Sequence, residues 1–169
     1  PPGFADAHCT EKLWRLPRPF LCYSPPPHAP DVRQSPVFTK GYVTFGSFNS
    51  RFKIGDETLA LWSRVLLACP ASRIVVKSPV GLADAEARTV LRQRLLACGI
   101  EDERIEIQEG IGDPVEHLDL YNTIDIALDP FPMNGHTTTC DALWLGVPVV
   151  SLAGATYASR FGGSALASL

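Results

Sequence analysis

The chain has 169 residues, 46% of them hydrophobic and 20% charged, with a formal net charge of −3. That is enough for one domain with a proper core, and the mild acidity gives no support for a nucleic-acid or membrane surface. No apolar run approaches the length that spans a bilayer, and five widely spaced cysteines without a C-x-x-C pair argue against a metal cluster and for a reducing, cytoplasmic setting.

The first 36 residues carry nine of the fifteen prolines, among them Pro25-Pro26-Pro27, and read as an extended or looped segment. The texture changes at Gly41, and residues 37–169 read as one domain. Tyr42-Val43-Thr44-Phe45-Gly46 has the character of a buried strand. Asp56 is expected to cap a helix whose apolar positions are Leu59, Trp62, Val65, Leu66 and Cys69. A second strand is expected at Arg73–Lys77, then a helix from Ala83 to Cys98 stopped by Gly99. Cys69 and Cys98 end apolar runs and are expected as buried free thiols.

A third strand covers Arg104–Ile107. Asp113-Pro114-Val115-Glu116 then reads as a helix start, with a capping carboxylate, proline at the first position and glutamate at the third. The fourth strand is Ile124–Leu128, its helix covers 137–145, and the fifth strand is 148–152. A last helical run begins near Ala155 and meets no stop signal. Short Val- and Ile-rich strands alternating with helices predict a doubly wound parallel sheet, Rossmann-like, with ligands beyond the carboxyl ends of its strands.

Three loops should lie at those ends: 46–53, 110–113 and 130–139. The third contains Asn134-Gly135-His136-Thr137-Thr138-Thr139-Cys140-Asp141. The first amides of a helix lack intrahelical acceptors and, with the helix dipole, make an anion site. Thr137 and Thr138 add hydroxyls and His136 a ring N–H. Asp141 lies about one turn beyond Thr137, where a carboxylate can accept bonds from a sugar diol. Glycine before an N-capping threonine is also ordinary turn chemistry, so the nucleotide reading rests on the convergence of the loops.

The residues Phe45-Gly46-Ser47-Phe48-Asn49 with Lys53-Ile54, Leu128-Asp129 before Pro132, Gly135-His136-Thr137-Thr138, and Leu143-Trp144 with Gly146 and Pro148 resemble the O-GlcNAc transferase family, which includes the plant Spindly proteins and bacterial relatives carrying tetratricopeptide repeats. Glu11 to Pro17 and Phe20-Leu21-Cys22-Tyr23 are similar to the family's segment between its two catalytic lobes. The resemblance implies the C-terminal, donor-binding lobe of a GT-B glycosyltransferase. It implies that Lys53 contacts the donor diphosphate and supports the leaving group. His136, Thr137 and Thr138 would form the phosphate turn, with Asp141 on the ribose, His117 close to the donor, and Ile111-Gly112 bordering the base.

Some positions depart from the family. Ser50 stands where the animal enzymes have glutamine, Pro114 replaces a lysine and Leu120 an arginine. Phe45–Asn49, Ile74–Lys77 and Thr137–Cys140 look closer to Spindly, whereas His136 and Asp141 look closer to the O-GlcNAc branch.

The resemblance implies transfer of GlcNAc, or another sugar, from a nucleotide diphosphate sugar such as UDP-GlcNAc to protein Ser or Thr, with inversion at the anomeric carbon and with neither metal nor cofactor. Alternatives are a GDP-fucose-dependent O-fucosyltransferase, or a degenerate nucleotide-binding or scaffold module. The physical case for Lys53 is separate: charge grows on the departing β-phosphate, and a fixed cation can stabilise it where no Asp-x-Asp metal motif is present. The alternative for Lys53 is a solvated loop lysine. The implied partners are a protein acceptor and the N-terminal lobe and repeats of the same protein, without which the 169 residues are expected to be inactive. Trp14, Trp62 and Trp144 are expected in the core or at a lobe interface.

Overall fold

The computed structural model describes residues 5–16, 21–78 and 81–169. Five strands, β1 (Thr44–Ser47), β2 (Arg73–Lys77), β3 (Ile105–Gln108), β4 (Ile126–Leu128) and β5 (Val149–Val150), form one parallel sheet in the order β3-β2-β1-β4-β5. The helices are α1 (Val37–Lys40), α2 (Asp56–Ala68), α3 (Ala85–Ala97), α4 (Pro114–Asp119), α5 (Thr137–Trp144) and α6 (Phe161–Leu166).

Side chains on a strand alternate between faces, and the two cores follow that rule. Ile74 and Val76 pack with Leu59, Trp62, Leu66, Leu91 and Leu95 against α2 and α3. Val75 packs with Leu118, Tyr121, Ala142 and Leu145 on the opposite face, against α4 and α5. Gly46 sits in the central strand because any Cβ there would run into the Ile124 side chain.

The strand order reverses between β1 and β4. The crevice opened by such a reversal is where doubly wound sheets bind ligands. The loop after β1 carries Lys53, and the loop after β4 carries Gly135 and His136.

Local signals held where their chemistry is short-range. The Asp113 carboxylate accepts from the Val115 and Glu116 amides at 2.8 and 2.9 Å, and Gly99 ends the α3 segment with φ of +86°. Strand β2 has the expected limits.

Other expectations need correction. Gly55, not Asp56, is the N-cap of α2; the Asp56 carboxylate accepts instead from Arg94 at 2.6 Å. Cys69 is exposed and Cys98 only half-buried, because each occupies the C-cap, where the chain turns away from the buried face. Of the tryptophans expected in the core or at a lobe interface, Trp62 is in the core, while Trp14 and Trp144 are exposed and so do not belong to the core of this domain. The final helical run is a single 3-10 turn, Ala158–Arg160, followed by α6.

Residues 21–36 contain neither helix nor strand and run along the domain, held by polar contacts. Asp125 accepts from the Val37 amide (2.8 Å), the Thr44 amide (2.7 Å) and the Ser35 hydroxyl, joining this segment to β1. Asn122 accepts from the Arg33 amide at 2.9 Å, and Asp119 pairs with its guanidinium at 2.8 Å. Among the described residues no helix is long and apolar enough to cross a membrane.

Candidate functional site

The turn before α5 is built around a buried carboxylate. Asp129, at the end of β4, accepts from the Gly135 amide at 2.5 Å and from the Ser151 hydroxyl at 2.6 Å. Gly135 is required there: a Cβ would lie 2.6 Å from Thr139 Oγ1, 2.7 Å from Asp129 Oδ1 and 2.8 Å from Thr138 Oγ1. His136 is the N-cap of α5 and makes no side-chain cap bond, and the first intrahelical bond runs from the Cys140 amide to the His136 carbonyl. The amides of Thr137, Thr138 and Thr139 therefore precede any intrahelical acceptor, at the positive end of the helix dipole.

Lys53 reaches this turn from the other side of the crevice. Its Nζ donates to the Asn134 carbonyl at 2.8 Å. Burial lowers the Lys53 pKa, while the nearby Asp129 carboxylate raises it. Burial also pushes the Asp129 carboxyl upward, against the bonds from Ser151 and Gly135 and the charge of Lys53. Thr58, at the start of α2, holds both loops: its hydroxyl lies 2.6 Å from the Phe131 carbonyl and 3.2 Å from that of Lys53, and accepts from the Phe131 amide at 3.1 Å. The lysine and the turn are thus fixed by one short helix end.

Asn49 and Thr138 close the floor of the crevice, the Thr138 hydroxyl donating to Asn49 Oδ1 at 2.9 Å. Thr138 spends its hydroxyl proton within the protein, whereas Thr137 is exposed. Ser50 caps the 3-10 turn Arg51–Lys53, and its carbonyl accepts from the Lys53 amide at 3.0 Å.

A second group lies one turn along α5. Asp141 is buried; its Oδ1 accepts from the Tyr23 hydroxyl at 2.6 Å, and its Oδ2 lies 3.8 Å from His117 Nε2. His117 Nδ1 is bonded to Lys77 Nζ, which is fully buried at the end of β2. Burial lowers the Lys77 pKa to about 8, although the Asp141 charge opposes the shift. The His117 ring is set edge-on to Phe48 and Tyr121, and the Tyr121 hydroxyl donates to the Thr138 carbonyl at 3.1 Å. Ile111 and Gly112 lie in the loop between β3 and α4, Ile111 half-buried and Gly112 exposed with open space around it.

The structure therefore brings Lys53, Gly135, His136, Thr137, Thr138, Asp141 and His117 to one end of the sheet, with Ser50, Ile111 and Gly112 in loops at that same end. Sequence reasoning did not give Tyr23, Lys77 or Asp129 a place in the site. Lys77 carried a usable signal, a charged residue closing the apolar run Ile74-Val75-Val76 at the carboxyl end of a strand. Tyr23 carried none, because its contact with Asp141 spans 118 residues. Among the described residues no group of three or more His, Cys, Asp or Glu side chains is arranged to hold a metal ion.

Comparison with known proteins identifies the family and the fold. Residues 31–169 match the sequence profile of glycosyl transferase family 41. The chain is 41% identical over 170 residues to a probable UDP-N-acetylglucosamine–peptide N-acetylglucosaminyltransferase SPINDLY of Petunia hybrida, covering 98% of this chain and 18% of the relative. The Arabidopsis thaliana protein of the same name is 42% identical over 160 residues, covering 92% and 17%. Among solved structures, a mutant of Thermobaculum terrenum O-GlcNAc transferase matches 99% of this chain and 31% of its own, with a TM-score of 0.90 and 40% identity. The C-terminal domain of a glycosyl transferase group 1 protein from Francisella tularensis shares the fold at 18% identity and a TM-score of 0.53. The chain thus spans about a fifth of the length of the curated relatives it matches.

Proposed function

We propose that this chain, which belongs to glycosyl transferase family 41, is the donor-binding part of a metal-independent, inverting enzyme that moves GlcNAc from UDP-GlcNAc to protein serine or threonine. The observation that carries the reading is the meeting of Lys53 and the α5 turn across the crevice between β1 and β4. The two relatives' names support the sugar and the peptide acceptor.

The diphosphate would lie on the amides of Thr137–Thr139, with the His136 ring and the Thr137 hydroxyl beside it. The ribose would meet Asp141 and His117, and the base the loop at Ile111-Gly112. As the anomeric carbon–oxygen bond breaks, negative charge grows on the β-phosphate. With the Lys53 ammonium and the helix amides held around it, little reorganisation would accompany the transition state. Displacement from the opposite face by the acceptor hydroxyl inverts the anomeric carbon. The acceptor, and the group that takes its proton, would belong to the N-terminal lobe and repeats of the whole protein.

Calorimetric titration with UDP and with GDP tests the reading, beside a His136→Ala/Thr137→Ala variant. Binding of UDP that the variant loses is the expected result. Binding of GDP alone would replace the donor with GDP-fucose, and a folded chain that binds neither would refute a donor site.

A further inference from the structure

We infer that Lys77 is a positioning residue for nucleoside recognition, holding His117 so that its imidazole and the Asp141 carboxylate present one donor and one acceptor to a ribose hydroxyl. The inference rests on the donor-site reading above and adds to it a residue that never touches the ligand.

Lys77 is fully buried on the face of β2 that also carries Val75. An apolar side chain would suit that position better, because an ammonium removed from water is costly unless compensated. What Lys77 meets is polar and directional: His117 Nδ1 is bonded to its Nζ, and the Phe48 ring centroid lies 5.7 Å away. An ammonium has only protons to donate, so Nδ1 must accept and the imidazole proton must sit on Nε2.

Asp141 Oδ2 is the charged acceptor near that nitrogen. The 3.8 Å between the two atoms is too long for a direct hydrogen bond. A hydroxyl oxygen at about 2.8 Å from each would bridge them, accepting from Nε2–H and donating to Oδ2. Asp141 cannot swing away to fill the space itself, because its other oxygen is tied to the Tyr23 hydroxyl at 2.6 Å. Lys77 and Tyr23 thus fix the two halves of a hydroxyl clamp from opposite sides, one through β2 and one through the segment before α1. With the tautomer unpinned, His117 can turn Nε2 into an acceptor facing a carboxylate, and the clamp loses its donor.

The test compares UDP and GDP with their 2′-deoxy counterparts on the full chain. Wild type should favour its ribonucleotide by about tenfold or more, as expected for a hydroxyl bonded to a charged group. Lys77→Met should erase that preference while leaving affinity for the deoxynucleotide within about twofold, given that the diphosphate contacts supply it. Lys77→Arg, which keeps a cationic donor, should retain the preference. A preference that survives in Lys77→Met overturns the role of Lys77 and leaves the donor site standing. No preference in wild type overturns the clamp and leaves the donor site standing, whereas no binding by the folded chain overturns both. If Lys77→Met does not fold, nitrogen-15 spectroscopy of wild-type His117 decides the matter: a proton on Nε2 supports the inference, and a proton on Nδ1 overturns it.

Discussion

Replacing Gly135 with alanine should damage stability and ligand binding together. The new Cβ would lie 2.6, 2.7 and 2.8 Å from Thr139 Oγ1, Asp129 Oδ1 and Thr138 Oγ1. None of these atoms yields easily. Asp129 is held by Ser151, Thr138 by Asn49, and Thr139 is buried. The turn itself must move, stretching the bond from the Gly135 amide to the buried carboxylate. Overpacking of this kind costs about 1–3 kcal/mol, and a lost hydrogen bond to a charged group about 1.5–3 kcal/mol. A combined loss of roughly 3 kcal/mol would lower the Tm by about 6–12 °C in a domain of this size. The same movement displaces the Thr137–Thr139 amides, so nucleotide affinity should fall at least about tenfold, the factor that follows from 1.4 kcal/mol. Differential scanning calorimetry and nucleotide titration measure both effects. Gly163→Ala is the control: it lies in α6 with nothing within 4 Å of the added Cβ, and should be neutral or stabilising by up to about 1 kcal/mol. A Gly135→Ala protein that melts and binds like wild type would refute this account of the turn.

Three further outcomes follow from the same geometry. Burial lowers the Lys53 pKa below its ordinary 10.5, so diphosphate affinity should fall as pH rises through the lowered value, and Lys53→Arg should flatten that fall in a pH series of titrations. The folded-state pKa of Lys77, about 8, lies below its ordinary 10.5, so between those values the unfolded chain binds more protons and wild-type stability rises with pH. Lys77→Met should therefore gain on wild type as pH falls from 10.5 to 7, by an amount on the order of 3 kcal/mol; urea denaturation across that range showing a constant difference would contradict the burial argument. Asp125→Ala removes the acceptor of the Val37 and Thr44 amides and should cost roughly 3 kcal/mol, read as a lower urea midpoint, with Asp125→Asn recovering part of it.

The family resemblance and the alternation of strands and helices pointed to the right fold. That success has a local cause. A glycine and threonines at a helix start expose amides whatever surrounds them, and Asp113-Pro114 caps a helix by contacts only two and three residues away. Asp56 shows the limit of such reasoning: its carboxylate suits a cap, yet Arg94 on a neighbouring helix binds it instead.

The sequence by itself thus determined the element types and the candidacy of the α5 turn, Lys53 and Asp141, because each follows from residue chemistry over a few positions, while His117 entered through the family resemblance. The tertiary structure alone decided which of these groups meet. The order β3-β2-β1-β4-β5 sets Lys53 against the turn 81 residues away, Lys77 against His117 forty residues on, and Tyr23 against Asp141 across 118 residues. Those pairings depend on strand neighbours chosen by burial of the whole chain, and no short stretch of sequence carries that information.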